Sequence, residues 1–202
     1  PILRSLGTVA DHGTTSCPNG SPLTATCNLL TVSCAGLPDL NVTSVVTKPT
    51  GTPVGTVILH AGGPGNMLLN NGFPGDYVAR GLRSVQISWA TDWAAANGMG
   101  VKSAACRPAT LFYYIFTNVH QSSRSAGFCA QGSSGGSAAI AYSLAHYGMG
   151  DYFDHTVFAA GPGLTRMDYG CNSHLYQGGP LNLCSSLTDA PYLYTSRNAQ
   201  MF

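Results

Sequence analysis

The hydrophobic positions change rhythm twice within the first sixty residues. Asn28–Cys34 and Asn41–Lys48 are β-branched runs separated by Gly36-Leu-Pro-Asp39, a turn composition that predicts an antiparallel hairpin. From Thr56 to His60 the alternation gives way to a continuous apolar run, the pattern of a strand covered on both faces in a parallel sheet. That run opens into His60-Ala-Gly-Gly-Pro-Gly65. Residues 74–82 predict a short helix and Ser84–Trp89 a further strand. Pro108 suits a first helical turn, and Leu111, Phe112, Ile115, Phe116 and Val119 recur at helical spacing, a stripe that packing on a sheet explains fully. Ser125–Gln131 predicts a strand, Ser137–Tyr147 a helix of small residues capped by Gly148, and His155–Ala160 one more buried strand. From Gly161 to Phe202 regular patterning fades. The expected organisation is an irregular arm over 1–26, an α/β core over 27–165 and a loop-rich lid or cap segment over 166–202.

Composition narrows the setting. The 202 residues suit one domain with a real core, yet only 8% are charged, against roughly 25% in an average soluble protein. The surface is therefore carried by Ser, Thr, Asn, Gln, Gly and Tyr. A net charge of +1 without a basic run argues against a nucleic-acid partner, and no apolar stretch approaches the ~18 residues that span a bilayer. Seven cysteines in so sparsely charged a chain point to an oxidising compartment, secreted or periplasmic. The expected bridges are Cys27–Cys34 and Cys171–Cys184, with Cys17–Cys106 as a third and Cys129 left as a buried free thiol. No Cys/His spacing fits a metal, and no cofactor is expected. Pro1–Leu6 is too short and too polar at its flanks for a signal peptide, which predicts a mature form.

The chemistry concentrates at Gly132-Ser-Ser134-Gly-Gly136, a G-x-S-x-G between the predicted strand and the small-residue helix. That layout lifts the Ser134 hydroxyl off a sheet on a tight turn, with glycines where side chains would collide with neighbouring elements. Acyl transfer needs such a nucleophile, a base for its proton and backbone donors for the oxyanion. Gly135 N–H, at the helix start, can be one donor. The second is assigned to Gly63 in the upstream glycine loop, since Pro64 has no N–H to give.

With these motifs about 70 residues apart, in that order, the chain resembles the α/β-hydrolase family over roughly residues 27–165. The loop is most similar to the GGPG-type oxyanion loop of the proline-iminopeptidase and tripeptidyl-aminopeptidase branch, and the elbow to that of esterases and lipases. Ala61 separates His60 from the glycines where that branch has His directly before them, and Gly135 stands where it often has a larger residue. Both departures favour a generic ester hydrolase over a peptidase. The resemblance implies a mostly parallel sheet with an antiparallel N-terminal hairpin, and an acid and a histidine after the seventh and eighth strands. Six strands are predicted by Ala160, so the last strands are expected to be lacking here. The acid–histidine pair is then expected on a C-terminal segment of a longer or nicked protein that stays attached as a partner. Within the chain, Asp168 after the sixth strand and His174 near Cys171 are the acid and base candidates.

The other histidines read as structural. His60 ends a strand and bonds the loop backbone, His146 serves the C-terminal dipole of its helix, His155 opens a strand, and His12 and His120 take surface or cap positions. Trp89, Trp93, Tyr169 and Tyr176 are available either to line an apolar cleft or simply to pack. The leading function is a secreted serine hydrolase cleaving a small-molecule or polymeric carboxylic ester. An aminopeptidase-like hydrolase would need acidic residues for a substrate ammonium, which this chain has in short supply; a hydrolase-like binding module would need no histidine.

Overall fold

The computed structural model describes residues 3–69 and 72–159. Seven strands form one sheet: β1 (Thr8–Thr14), β2 (Thr26–Ser33), β3 (Leu40–Thr47), β4 (Gly55–His60), β5 (Leu82–Trp89), β6 (Gly127–Ser133) and β7 (His155–Ala159). The helices are α1 (Phe73–Ala79), α2 (Gly100–Ala104), α3 (Cys106–Tyr114) and α4 (Gly135–Tyr147), with a π turn at Ile115–Val119 and a 3-10 turn at Met149–Asp151. The spatial order is β1-β2-β3-β5-β4-β6-β7. β1, β2, β3 and β5 pair antiparallel in sequence, and β5, β4, β6 and β7 pair parallel. The hairpin and the parallel body are thus as the hydrophobic rhythm predicts.

Every residue of β4 is buried, as expected for a central parallel strand without alternation. One sheet face carries Leu30, Val32, Val42, Ile58, Val85, Ile87, Phe128 and Ala130 into the main core. α3 and α4 cover it through Leu111, Phe112, Ala138, Ala139 and Ile140. Ala-rich α4 packs close because its inward side chains are small. On the other face α1 lies along β5, and the Tyr77 hydroxyl donates to Gln131 Oε1 at 2.6 Å.

Two sequence expectations are corrected by the structure. Residues 8–14 are not an irregular arm but an edge strand, whose largely exposed, mixed-polarity side chains leave no alternation to read. Its register shifts between Asp11 and Thr14, where Gly13 takes a positive φ of 84°. The helix expected with Pro108 in its first turn is present, starting at Cys106 and running into the π turn, whose His120 N–H reaches Ile115 O at 2.8 Å. Finally, the disulfides are Cys17–Cys27 and Cys34–Cys106. Cys27 lies in β2 and Cys34 just past its end, so seven extended residues at about 3.3 Å each hold them roughly 23 Å apart, far beyond the about 6 Å a bridge spans. The same geometry rules out Cys17–Cys106. Cys129 is free, as expected, and half-buried; Cys171, Cys184 and the 166–202 segment lie outside the described residues.

Candidate active site

β6 ends at Ser133 and α4 begins at Gly135, so Ser134 is the single residue that turns the chain from sheet to helix. Its backbone sits at φ 50°, ψ −116°, a region that costs a non-glycine residue about 1–3 kcal/mol. Several bonds hold it there. Ser134 N–H donates to Ala159 O of β7 at 2.9 Å, and Ser137 and Ala138 N–H return to Ser134 O at 2.9 and 3.2 Å. Beneath the turn the buried Ser137 hydroxyl donates to Gly132 O at 2.8 Å, with Ala159 O at 3.2 Å.

The flanking glycines are required by approach. A Cβ at Gly132 would lie 2.5 Å from the Ser137 nitrogen, and one at Gly136 2.7 Å from Ala61 O and closer still to His60 O. The first turn of α4 is therefore pressed on the end of β4, where the glycine loop begins. The same contact brings that loop to the serine: a Cβ at Gly62 would sit 3.0 Å from Ser134 Cβ and 3.7 Å from its Oγ. Gly63 adopts φ 58°, and a Cβ built on it meets nothing within 4 Å, so the loop presents open backbone beside the hydroxyl. Ser134 itself is partly exposed.

The loop is braced from behind. Gly65 N–H donates to Gly62 O at 3.1 Å, closing a turn, while Trp89 N–H donates to Gly65 O at 2.9 Å and Trp93 N–H to Pro64 O at 3.2 Å. Trp89 and Trp93 are 2% and 0% exposed, so they pack beneath the loop and line no cleft. Arg107 is nearly as buried, and its guanidinium donates to Trp93 O (3.1 Å), Ala95 O (2.7 Å) and Pro38 O (2.8 Å). Sequence reasoning missed this brace, because an arginine between Cys106 and Pro108 carries no local sign of being buried.

His12, His60 and His120 are each hydrogen-bonded through the ring. His60 bonds the backbone, as predicted: its Nδ1 is 2.9 Å from Ala61 O. Burial lowers its pKa to about 4, only partly opposed by the bond to Ala61. His120 is buried, bonded to Thr56 and to Ser123 O, as well as capping the π turn. His146 lies in the last turn of α4, but burial and then the nearby Lys102 and Arg4 lower its pKa, which works against the cationic role expected of it. His12 bonds Thr31, and His155 opens β7 exposed. The acid and base candidates Asp168 and His174 lie outside the described residues, as do Tyr169 and Tyr176. Among the described residues no His/Cys/Asp/Glu cluster could hold a metal ion.

Solved structures share this sheet. A probable hydrolytic enzyme from Pseudomonas aeruginosa PAO1 superposes with a TM-score of 0.50 at 13% identity, over 70% of this chain and 43% of that one. The architecture is that of an α/β-hydrolase. At this identity the α/β-hydrolase likeness is one of fold. A thermostable carboxyl esterase from Bacillus coagulans matches at 15% identity and TM-score 0.49, over 65% of this chain and 43% of that one. A putative carboxylesterase from Lactobacillus plantarum WCFS1 matches at 13% and 0.48, over 88% and 71%. The chain thus spans about two-fifths of the length of the first two. No family model matches it, and no curated protein matches it. No helix among the described residues is long and apolar enough to cross a membrane.

Proposed function

We propose that the protein is a serine hydrolase that cleaves carboxylic esters through an acyl-enzyme on Ser134, working outside the cytoplasm on a small-molecule or polymeric ester. The observation that carries this reading is the meeting of a strained serine with a glycine loop: Ser134 at φ 50° with Gly62 backbone packed on its Cβ. Strain of this kind persists only where surrounding contacts impose it, and it collects at reactive sites. The two bridges, Cys17–Cys27 and Cys34–Cys106, support the oxidising compartment.

In this reading Ser134 Oγ attacks the acyl carbon while a histidine takes its proton. The carbonyl oxygen becomes an oxyanion that accepts hydrogen bonds from Gly63 N–H and Gly135 N–H, the latter with the positive end of the α4 dipole behind it. Collapse expels the alcohol, which receives the proton from the histidine, and a water then repeats the sequence on the acyl-enzyme. For acid and base the chain offers Asp168 and His174. His60 is unsuited, since it is buried and both ring nitrogens are engaged.

The test is hydrolysis of p-nitrophenyl butyrate by the full chain. Ser134→Ala should lower kcat by roughly 10⁴-fold or more, as loss of a nucleophile does elsewhere, with the fold retained. Hydrolysis that survives the substitution rejects the reading. His174→Ala separately decides whether the base is His174.

A further inference from the structure

His60 stands where three parts of the site meet. Through its carbonyl it touches Gly136, at the start of the helix that follows Ser134. Its ring touches the glycine loop: a Cβ at Gly65 would be 2.6 Å from His60 Cε1 and 2.8 Å from Trp89 Cδ1, so the Gly65 backbone lies directly on the imidazole and the indole. The third part is β5. Trp89 Nε1 is 2.9 Å from His60 Nε2, and the Trp89 backbone N–H holds Gly65 O at 2.9 Å.

The chemistry of the partners fixes the ring. Ala61 O can only accept, so Nδ1 carries the proton; indole Nε1 can only donate, so Nε2 offers its lone pair. With Trp93 and Phe112 edge-on at 6.2 and 6.5 Å between ring centroids, the imidazole has one orientation and one tautomer. Gly65, φ 74°, can then occupy a single position above it.

We propose that His60 and Trp89 are positioning residues that set the height of the Gly62–Gly65 loop against Ser134, and so aim the Gly63 N–H at the developing oxyanion. The inference rests on the hydrolase reading above. Neither side chain touches substrate; both act through the backbone of Gly65. A displaced donor weakens the transition state more than it weakens substrate binding, because the oxyanion exists only in the transition state.

The experiment compares Trp89→Phe, which keeps a buried ring and removes the N–H, with His60→Gln and with the unaltered protein in p-nitrophenyl butyrate hydrolysis. Rates are counted per serine titrated with a fluorophosphonate, so unfolded molecules drop out. The expected result for Trp89→Phe is a fall in kcat of about 10-fold or more with KM within about 3-fold, the loss of a whole oxyanion donor being roughly 100- to 1,000-fold. His60→Gln should fall in the same way. Unchanged kcat per titrated serine in both variants, or a loss expressed in KM alone, overturns the positioning role while leaving Ser134 in place. Hydrolysis that persists in Ser134→Ala overturns the underlying reading instead.

Discussion

At the scale of single residues, Ser134 carries a cost that its hydroxyl justifies. Glycine adopts φ 50°, ψ −116° without a Cβ clash, so Ser134→Gly should raise stability by about 1 kcal/mol in urea unfolding while abolishing hydrolysis, whereas Ser134→Ala should leave stability nearly unchanged. Equal stabilities for the glycine and alanine variants would show that the turn holds no strain. Gly136 has the opposite tolerance: a methyl there meets the His60 and Ala61 carbonyl oxygens, both backbone, so Gly136→Ala should cost about 2 kcal/mol or more and separate α4 from the glycine loop. His60 gives a pH signature. It is neutral in the folded protein down to about pH 4, while the unfolded chain takes up its proton near pH 6.5. Stability from this group is therefore fully present above pH 6.5 and declines as pH falls toward 4, by up to about 3 kcal/mol. Urea midpoints at pH 7 and 4.5 should differ less in His60→Gln than in the unaltered protein; parallel slopes would contradict the assignment.

At the scale of elements, the segments around the serine were legible because their sequence signals are local. A glycine-flanked serine between an apolar run and an alanine-rich helix specifies the turn, and Thr56–His60 reads as a central strand because nothing in it faces water. What was not legible depended on distant partners. β1 has too few buried side chains to show a period, and the bridges follow strand geometry, which cysteine spacing alone does not reveal. Arg107 belongs to the same class: three carbonyls from two separate segments meet its guanidinium only after folding. Arg107→Leu should strand those acceptors and destabilise by about 3 kcal/mol in equilibrium unfolding, with a loss of turnover because Trp93 N–H no longer steadies Pro64 O. A variant with unaltered midpoint and kcat would remove the brace from the account.

At the scale of the whole molecule, the candidate site lies at one edge of the parallel strands, where β4 and β6 end, and Cys34–Cys106 lies toward that edge while Cys17–Cys27 closes the opposite end of β2. Cys34–Cys106 ties the hairpin to α3 across 72 residues, a closure worth about 4 kcal/mol by the chain-entropy estimate. In the unreduced, unfolded chain Cys129 should alkylate, while Cys17, Cys27, Cys34 and Cys106 should react only after reduction; alkylation of any of these four beforehand would argue against an oxidising compartment. The central claim is that Ser134 is the nucleophile, placed by the turn between β6 and α4 beside the glycine loop. Peptide mass mapping of the full chain after treatment with a fluorophosphonate tests it most directly. The account predicts a single adduct on Ser134, absent after heat denaturation of the protein; an adduct on another residue, or none on a folded protein that hydrolyses p-nitrophenyl butyrate, would contradict it.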